Sequence, residues 1–247
     1  TWAGNGDPGC NPSNWNKGVN SSNPATFAPT NLNVSNWVES YKAVGAKHAV
    51  LTAKHGCGFL LWNSNVTLPS TGQEYVFAVQ RESVPSYGRN VAVEFYDTLK
   101  AAGLGRGYYY SMGNNYFLCR ISNSKTNPPL PGQECVSDDD YNTIVRNHLQ
   151  ELWSQVSEPD GLFEIWFDHG TLQNSWLQMT LAKYQPSANG FNGQGVTPNV
   201  VRWVGTEDGT PAYPTWSTGD SGQGDPNSAD WAPAGVDTTL QDGDVWF

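Results

Sequence analysis

The chain has 247 residues, enough for one α/β barrel or two smaller domains. Its formal net charge of -10 and pI of about 4.7 argue against a nucleic-acid or anionic-membrane partner, because the long-range field repels both. The sequence contains no basic run and no apolar stretch of about 20 residues, so neither a polybasic arm nor a membrane-spanning helix is expected.

Residues 1–33 are rich in Asn, Pro, Gly and Ser, but Trp2, Trp15 and Phe27 demand burial, which predicts an irregular packed loop and not a disordered tail. From Ser35 to Val44, the apolar residues Trp37, Val38, Tyr41 and Val44 fall at helical spacing, and Gly45 supplies a stop. His48 to Ala53 reads as a strand leading into Lys54-His55-Gly56-Cys57-Gly58-Phe59-Leu60-Leu61-Trp62. After a long loop with Pro69, Gly72 and Pro85, a helix carrying Val91, Phe95 and Leu99 is predicted to stop at Gly103. Leu104 to Ser111, with Tyr108, Tyr109 and Tyr110, is the next strand.

A Pro-rich loop then runs between Cys119 and Cys135, and Ser137 is positioned to cap a helix whose first turn holds Asp138, Asp139 and Asp140. Its buried stripe is Tyr141, Ile144, Val145, His148, Leu149, Leu152 and Val156. Gly161 to Gly170 is a near-continuous apolar run ending in Asp168, the pattern of a strand buried on both faces. Leu172 to Tyr184 reads as a helix, Asn189 to Asn192 as a candidate strand, Val200 to Gly205 as a short strand, and the chain from Thr206 on as turns. The alternation implies a parallel sheet, and acids at strand ends favour a (β/α)8 TIM-like barrel over a doubly wound sheet. Residues 1–247 are taken as one partial catalytic barrel domain, because four or five strands are legible where a closed barrel has eight.

The four cysteines allow three pairings. Closing the Cys119–Cys135 loop is favoured, leaving Cys10 to pair with Cys57 or Cys57 as a buried free thiol. Sequons occur at Asn20, Asn33 and Asn65. With no initiator Met and no signal peptide, the chain reads as a processed or truncated piece, and a secreted, lysosomal or vacuolar setting is expected.

The aromatic share is high at 13% and the charged share low at 15%, a balance suited to stacking on the C–H faces of sugars and equally to a large core. Asp168 at a strand's carboxyl end is placed as a barrel enzyme's catalytic acid or as a cap of the following helix. Glycoside cleavage needs a second carboxyl about 5–9.5 Å away. Glu164 shares strand parity with Asp168, but four strand residues separate their Cα atoms by about 13 Å, so Glu164 is expected to be a satisfied core acid. Glu207 and Asp208 follow the Val200–Gly205 strand, and spacing alone does not separate them from each other or from an ordinary turn. His55 at a strand end is equally compatible with a structural and a functional role. Lys54 is expected in a core or supporting ion pair, and His48, at odd parity to His55, on the opposite face. With scattered histidines, no Cys-x-x-Cys pair and no Gly-x-Ser-x-Gly elbow, neither a metal, an organic cofactor nor a serine nucleophile is expected.

Four segments resemble the retaining α-L-fucosidases of glycoside hydrolase family twenty-nine. Ala49 to Trp62 resembles the family's "vLTAKHhdGFxLW", Gly107-Tyr108-Tyr109-Tyr110-Ser111 its "GxYYS", Glu164-Ile165-Trp166-Phe167-Asp168 its "ElWFDG", and Val201 to Gly209 the "RWvGnEdG" of plant-like and α-1,3/4-specific members. The resemblance implies a retaining exo-α-L-fucosidase acting on terminal α-L-fucosyl linkages of glycans by double displacement. Asp168 is then the nucleophile and Glu207 the acid/base, which resolves the choice against Asp208. His55, Tyr110, Trp166 and Arg202 match positions lining the fucose pocket, with Trp62 and Trp203 as its apolar wall. Gly56 and Cys57 stand where the family often has His and Asp, and His169 stands where it usually has Gly. The family's first barrel strand and its last strands are expected to lie outside this chain, which would make it a fragment of a catalytic domain. The alternative function is a fucose- or glycan-binding fragment without activity.

Overall fold

The computed structural model describes residues 27, 29–79, 89–120, 133–156, 161–168, 174–191, 196–197, 199–202 and 245–246, with 174, 199–202 and 245–246 described as backbone alone. Trp2, Cys10, Trp15, the Asn20 sequon, His169, Trp203, Glu207 and Asp208 lie outside the described residues.

Helix α1 is Val34–Ala43, opened by Asn33, whose side chain accepts from the Asn36 amide at 3.0 Å. Strand β1 is His48–Lys54, and α2 is Val91–Ala101, opened in the same way by Asn90. Gly45 and Gly103 carry the chain out of the two helices with φ of +78° and +71°. Strand β2 is Gly105–Ser111. The Cys119–Cys135 region carries two short parallel strands, β3 Leu118–Arg120 and β4 Glu134–Val136, where sequence periodicity shows only a loop. Helix α3, Asp138–Ser154, is capped by Ser137 Oγ, which accepts from the Asp140 amide at 3.0 Å. Then come β5 Glu164–Asp168, α4 Asn174–Tyr184, β6 Asn189–Phe191, β7 Asn199–Arg202 and β8 Val245–Trp246.

Among the described residues the main sheet has six strands, all parallel, in the order β1-β2-β5-β6-β7-β8. Each strand is added on the same side of the one before, with no reversal, as in a barrel wall; a doubly wound sheet reverses at its switch point. Helices cover the outer face: α2 packs on β1 and β2, α1 on α2, and α3 on α4 and β3. The core lies between sheet and helices, around Tyr108, Tyr110, Ile165 and Phe167 from the strands and Ala92, Phe95, Ile144, Leu149 and Trp153 from α2 and α3. Among the described residues no helix is long and apolar enough to cross a membrane.

The favoured Cys119–Cys135 closure is not formed, and of the two alternatives for Cys57 the bonded one holds. Cys119 and Cys135 face each other in register but are free thiols, while Cys57 is disulfide-bonded.

One buried amide ties the outer layer together. Gln185 follows α4; its Nε2 donates to the carbonyls of Trp153 and Val156 at 3.0 Å each, and its Oε1 accepts from the Leu162 amide at 2.7 Å. Gln185→Leu keeps the volume but removes the side-chain hydrogen bonds to three main-chain groups at the entry to β5. We expect a loss of about 2–4 kcal/mol, read as a lower urea midpoint at unchanged m-value.

Candidate active site

Alternation along β2 and β5 assigns every side chain near Asp168. Register pairs Gly107 with Glu164, Tyr109 with Trp166, and Ser111 with Asp168, so these residues share the inner face. Tyr108 and Tyr110, paired with Ile165 and Phe167, point to the helices. On β6, Phe191 stands level with Trp166.

The result is a row of rings below the carboxyl end of the sheet. His55 stacks on Tyr109 with centroids 5.5 Å apart and an 11° interplanar angle. Tyr109 leans on Trp166 at 6.2 Å, and Trp166 stacks on Phe191 at 3.9 Å and 10°. One step above, Asp168 Oδ2 accepts from the Tyr109 hydroxyl. Asp168, Tyr109, Trp166 and His55 are all half-buried, unlike the fully closed core behind them. A carboxylate oriented by a phenol and flanked by aromatic faces is suited to a polyhydroxylated ring with apolar C–H patches.

The layer beneath holds the row in place. Trp166 Nε1 donates to Glu164 Oε1, and His48 Nε2 lies 3.1 Å from Glu164 Oε2. Burial pushes the Glu164 carboxyl up, and the bonds from Trp166 and His48 oppose that shift. Glu164 is therefore the satisfied core acid expected from its distance to Asp168. His48 is on the same inner face as His55, contrary to the parity expectation. A register shift between Thr52 and Lys54 inserts one residue and flips the alternation before His55.

The loops beyond β1 and β2 are stitched to each other. Tyr116 and Phe117 amides donate to the Gly56 and Cys57 carbonyls at 2.8 and 3.2 Å. Tyr75 Oη donates to the Gly58 carbonyl at 2.5 Å, and Asn115 Nδ2 donates to Tyr75 Oη at 2.9 Å. Gly58 has φ of +90°, and a Cβ there would sit 2.0 Å from Asn115 Oδ1, so the tight approach requires glycine.

Two expected pocket residues lie elsewhere. Tyr110 is fully buried on the helix side, its Oη 3.0 Å from His148 Nδ1. Burial raises the Tyr110 phenol well above its ordinary value and, with the nearby Lys54 charge, depresses His148, so both are neutral. Trp62 is also fully buried, donating from Nε1 to Glu151 Oε2 at 2.9 Å and packing edge-on against His148. Both belong to the sheet–helix core. Tyr109 and Phe191 take the inner-face positions. No signal in the sequence separates Tyr109 from its neighbours: register sets it level with Trp166, one inner-face step below Asp168. His55, Trp166 and Asp168 are brought together. Arg202 ends β7, one register step beyond the level of Trp166 and Phe191, paired with Trp246. Among the described residues no three His, Cys, Asp or Glu side chains gather in a metal-binding group.

Comparison with known proteins gives the same direction. Residues 14–218 match the family model described as Alpha-L-fucosidase. Alpha-L-fucosidase 1 of Arabidopsis thaliana is 30% identical over 93% of this chain and 44% of its own length. The chain thus spans less than half the length of the curated relatives it matches. Two solved structures share the fold. Alpha-L-fucosidase AlfC from Lactobacillus casei in complex with alpha-L-fucose product has a TM-score of 0.53 at 18% identity, covering 74% of this chain and 58% of that one. Alpha-L-fucosidase isoenzyme 1 from Paenibacillus thiaminolyticus has a TM-score of 0.52 at 21% identity, covering 77% and 49%. With the family model covering most of the sequence, and a singly wound parallel sheet presenting Asp168 at its carboxyl end, the chain belongs to the alpha-L-fucosidase family.

Proposed function

We propose that the protein carrying this chain is a retaining exo-α-L-fucosidase that hydrolyses terminal α-L-fucosyl linkages of glycans. The observation that supports this most is Asp168 at the end of β5, with one carboxylate oxygen held by the Tyr109 hydroxyl and a row of rings beneath. The Tyr109 hydroxyl orients the Asp168 carboxylate, which attacks the anomeric carbon. As the C1–O bond breaks, Glu207 protonates the leaving oxygen, giving a covalent fucosyl-enzyme. Water then attacks C1, Glu207 accepts its proton, and Asp168 departs, restoring the starting configuration after two inversions. His55, Trp166 and Arg202 contact the sugar, and Trp203 contributes to the wall that covers its C5 methyl. A bonded Cys57 and the exposed sequon residues Asn33 and Asn65 support a secreted, lysosomal or vacuolar location.

The test is proton NMR of an aryl α-L-fucoside digest. We expect α-fucose to appear first and to mutarotate later. Initial β-fucose overturns the retaining mechanism. Calorimetric binding of fucose with no release identifies a binding module instead.

A further inference from the structure

Lys54 ends β1 and its side chain is fully buried, an unfavourable place for an ammonium unless it is well bonded. The register shift turns it to the helix side, where Nζ lies 4.8 Å from the Tyr110 ring centroid. From there Nζ donates to the Ser111 carbonyl at 2.5 Å and to the Asn114 carbonyl. These two carbonyls bracket the segment by which the chain leaves β2. Inside the bracket, the Met112 amide donates to the main-chain carbonyl of Asp168 at 2.9 Å. Lys54 is therefore linked to Asp168 through a single short segment, and it is also within electrostatic reach of the Asp168 carboxylate.

We infer that Lys54 is a positioning residue for the nucleophile: it clamps residues 111–114 so that Met112 fixes the main chain of Asp168, and its charge acts on the Asp168 carboxylate through space. This rests on the reading of Asp168 as the nucleophile. The groups around Lys54 are Tyr110 from β2, His148 from α3 and Asp168 from β5. Burial holds Tyr110 and His148 neutral, so Asp168 is the charged neighbour among these three.

Burial brings the Lys54 ammonium down to about 7, and Asp168 opposes that shift. Because this lies below the ordinary value of 10.5, the folded state releases the proton first. Stability contributed by Lys54 therefore grows as pH rises from about 7 toward 10.5, while the charge that serves Asp168 is lost over the start of the same interval. A residue with only a packing role has no reason to move activity and stability in opposite directions.

The experiment compares Lys54→Met, Lys54→Gln and Lys54→Arg in the protein carrying this chain. Lys54→Met is expected to lower kcat on an α-L-fucoside about 10- to 100-fold with KM within about threefold. It should also speed amide hydrogen exchange across 112–115 and flatten the rise of Tm between pH 7 and 9. Lys54→Arg should recover most of kcat by keeping the charge and the donors. If Lys54→Met does not fold, the Gln and Arg variants carry the comparison. A kcat within about twofold together with wild-type exchange overturns the inference. If the wild-type protein releases no fucose, the functional reading fails, and exchange at 112–115 alone decides the clamp.

Discussion

Asp168→Ala is expected to lower kcat for an α-L-fucoside by about 10³- to 10⁵-fold, as removal of a covalent nucleophile generally does, while the protein still folds cooperatively. The side chain is half-buried at the last residue of β5, and its main-chain carbonyl, which accepts from Met112, survives the substitution. The fold loses the bond from Tyr109 and the charge near Lys54, and chemistry loses the atom that attacks. The alanine also leaves a gap beside Tyr109 large enough for a small anion. Azide at high concentration should enter it, attack C1 directly and release β-fucosyl azide, with one inversion in place of two. Rescue with that configuration assigns the nucleophile to Asp168. Unchanged hydrolysis in Asp168→Ala moves the chemistry to another residue.

The second large effect separates two adjacent tyrosines. Tyr109→Phe removes the hydroxyl that donates to Asp168 Oδ2. Because that bond orients the attacking carboxylate, its loss is expected to lower kcat by about 10- to 100-fold, while water replaces the hydroxyl at the half-buried carboxylate and Tm changes little. Tyr110→Phe does the reverse. It removes the partner of buried His148 Nδ1, on a ring whose Nε2 already has no hydrogen-bond partner. The expected result is a stability loss of about 1–3 kcal/mol with kcat changed less than threefold. Chemical denaturation and steady-state kinetics on both variants check this. A kcat loss in Tyr110→Phe with Tyr109→Phe unaffected places the wrong tyrosine at the site.

What the sequence shows well is anything with a local cause. Ser137 is legible as a helix cap because its short polar side chain reaches an amide three residues on, within the same stretch of chain. The run from Gly161 to Gly170 reads as a buried strand because it is nearly continuous in apolar residues. Glu164 reads as a core acid because strand rise alone separates it from Asp168. The β3–β4 pair was not legible, since each strand is three residues long and too short to show a period.

Facing is another matter. Three consecutive tyrosines give no indication of which points inward; the pairing of Tyr109 with Trp166 decides it. His48 and His55 have opposite parity in sequence, yet both face the inner side, because the shift between Thr52 and Lys54 restores the phase. Trp62 falls to the core because Glu151, on a helix far along the chain, offers the acceptor its indole needs. The residues alone determined the helices, the longer strands and the acid at the end of β5 through short-range spacing, and the family through the resemblance of four segments. Only the tertiary structure decided which neighbours of that acid face a substrate, because a strand's two sides differ by one residue and a single bulge exchanges them.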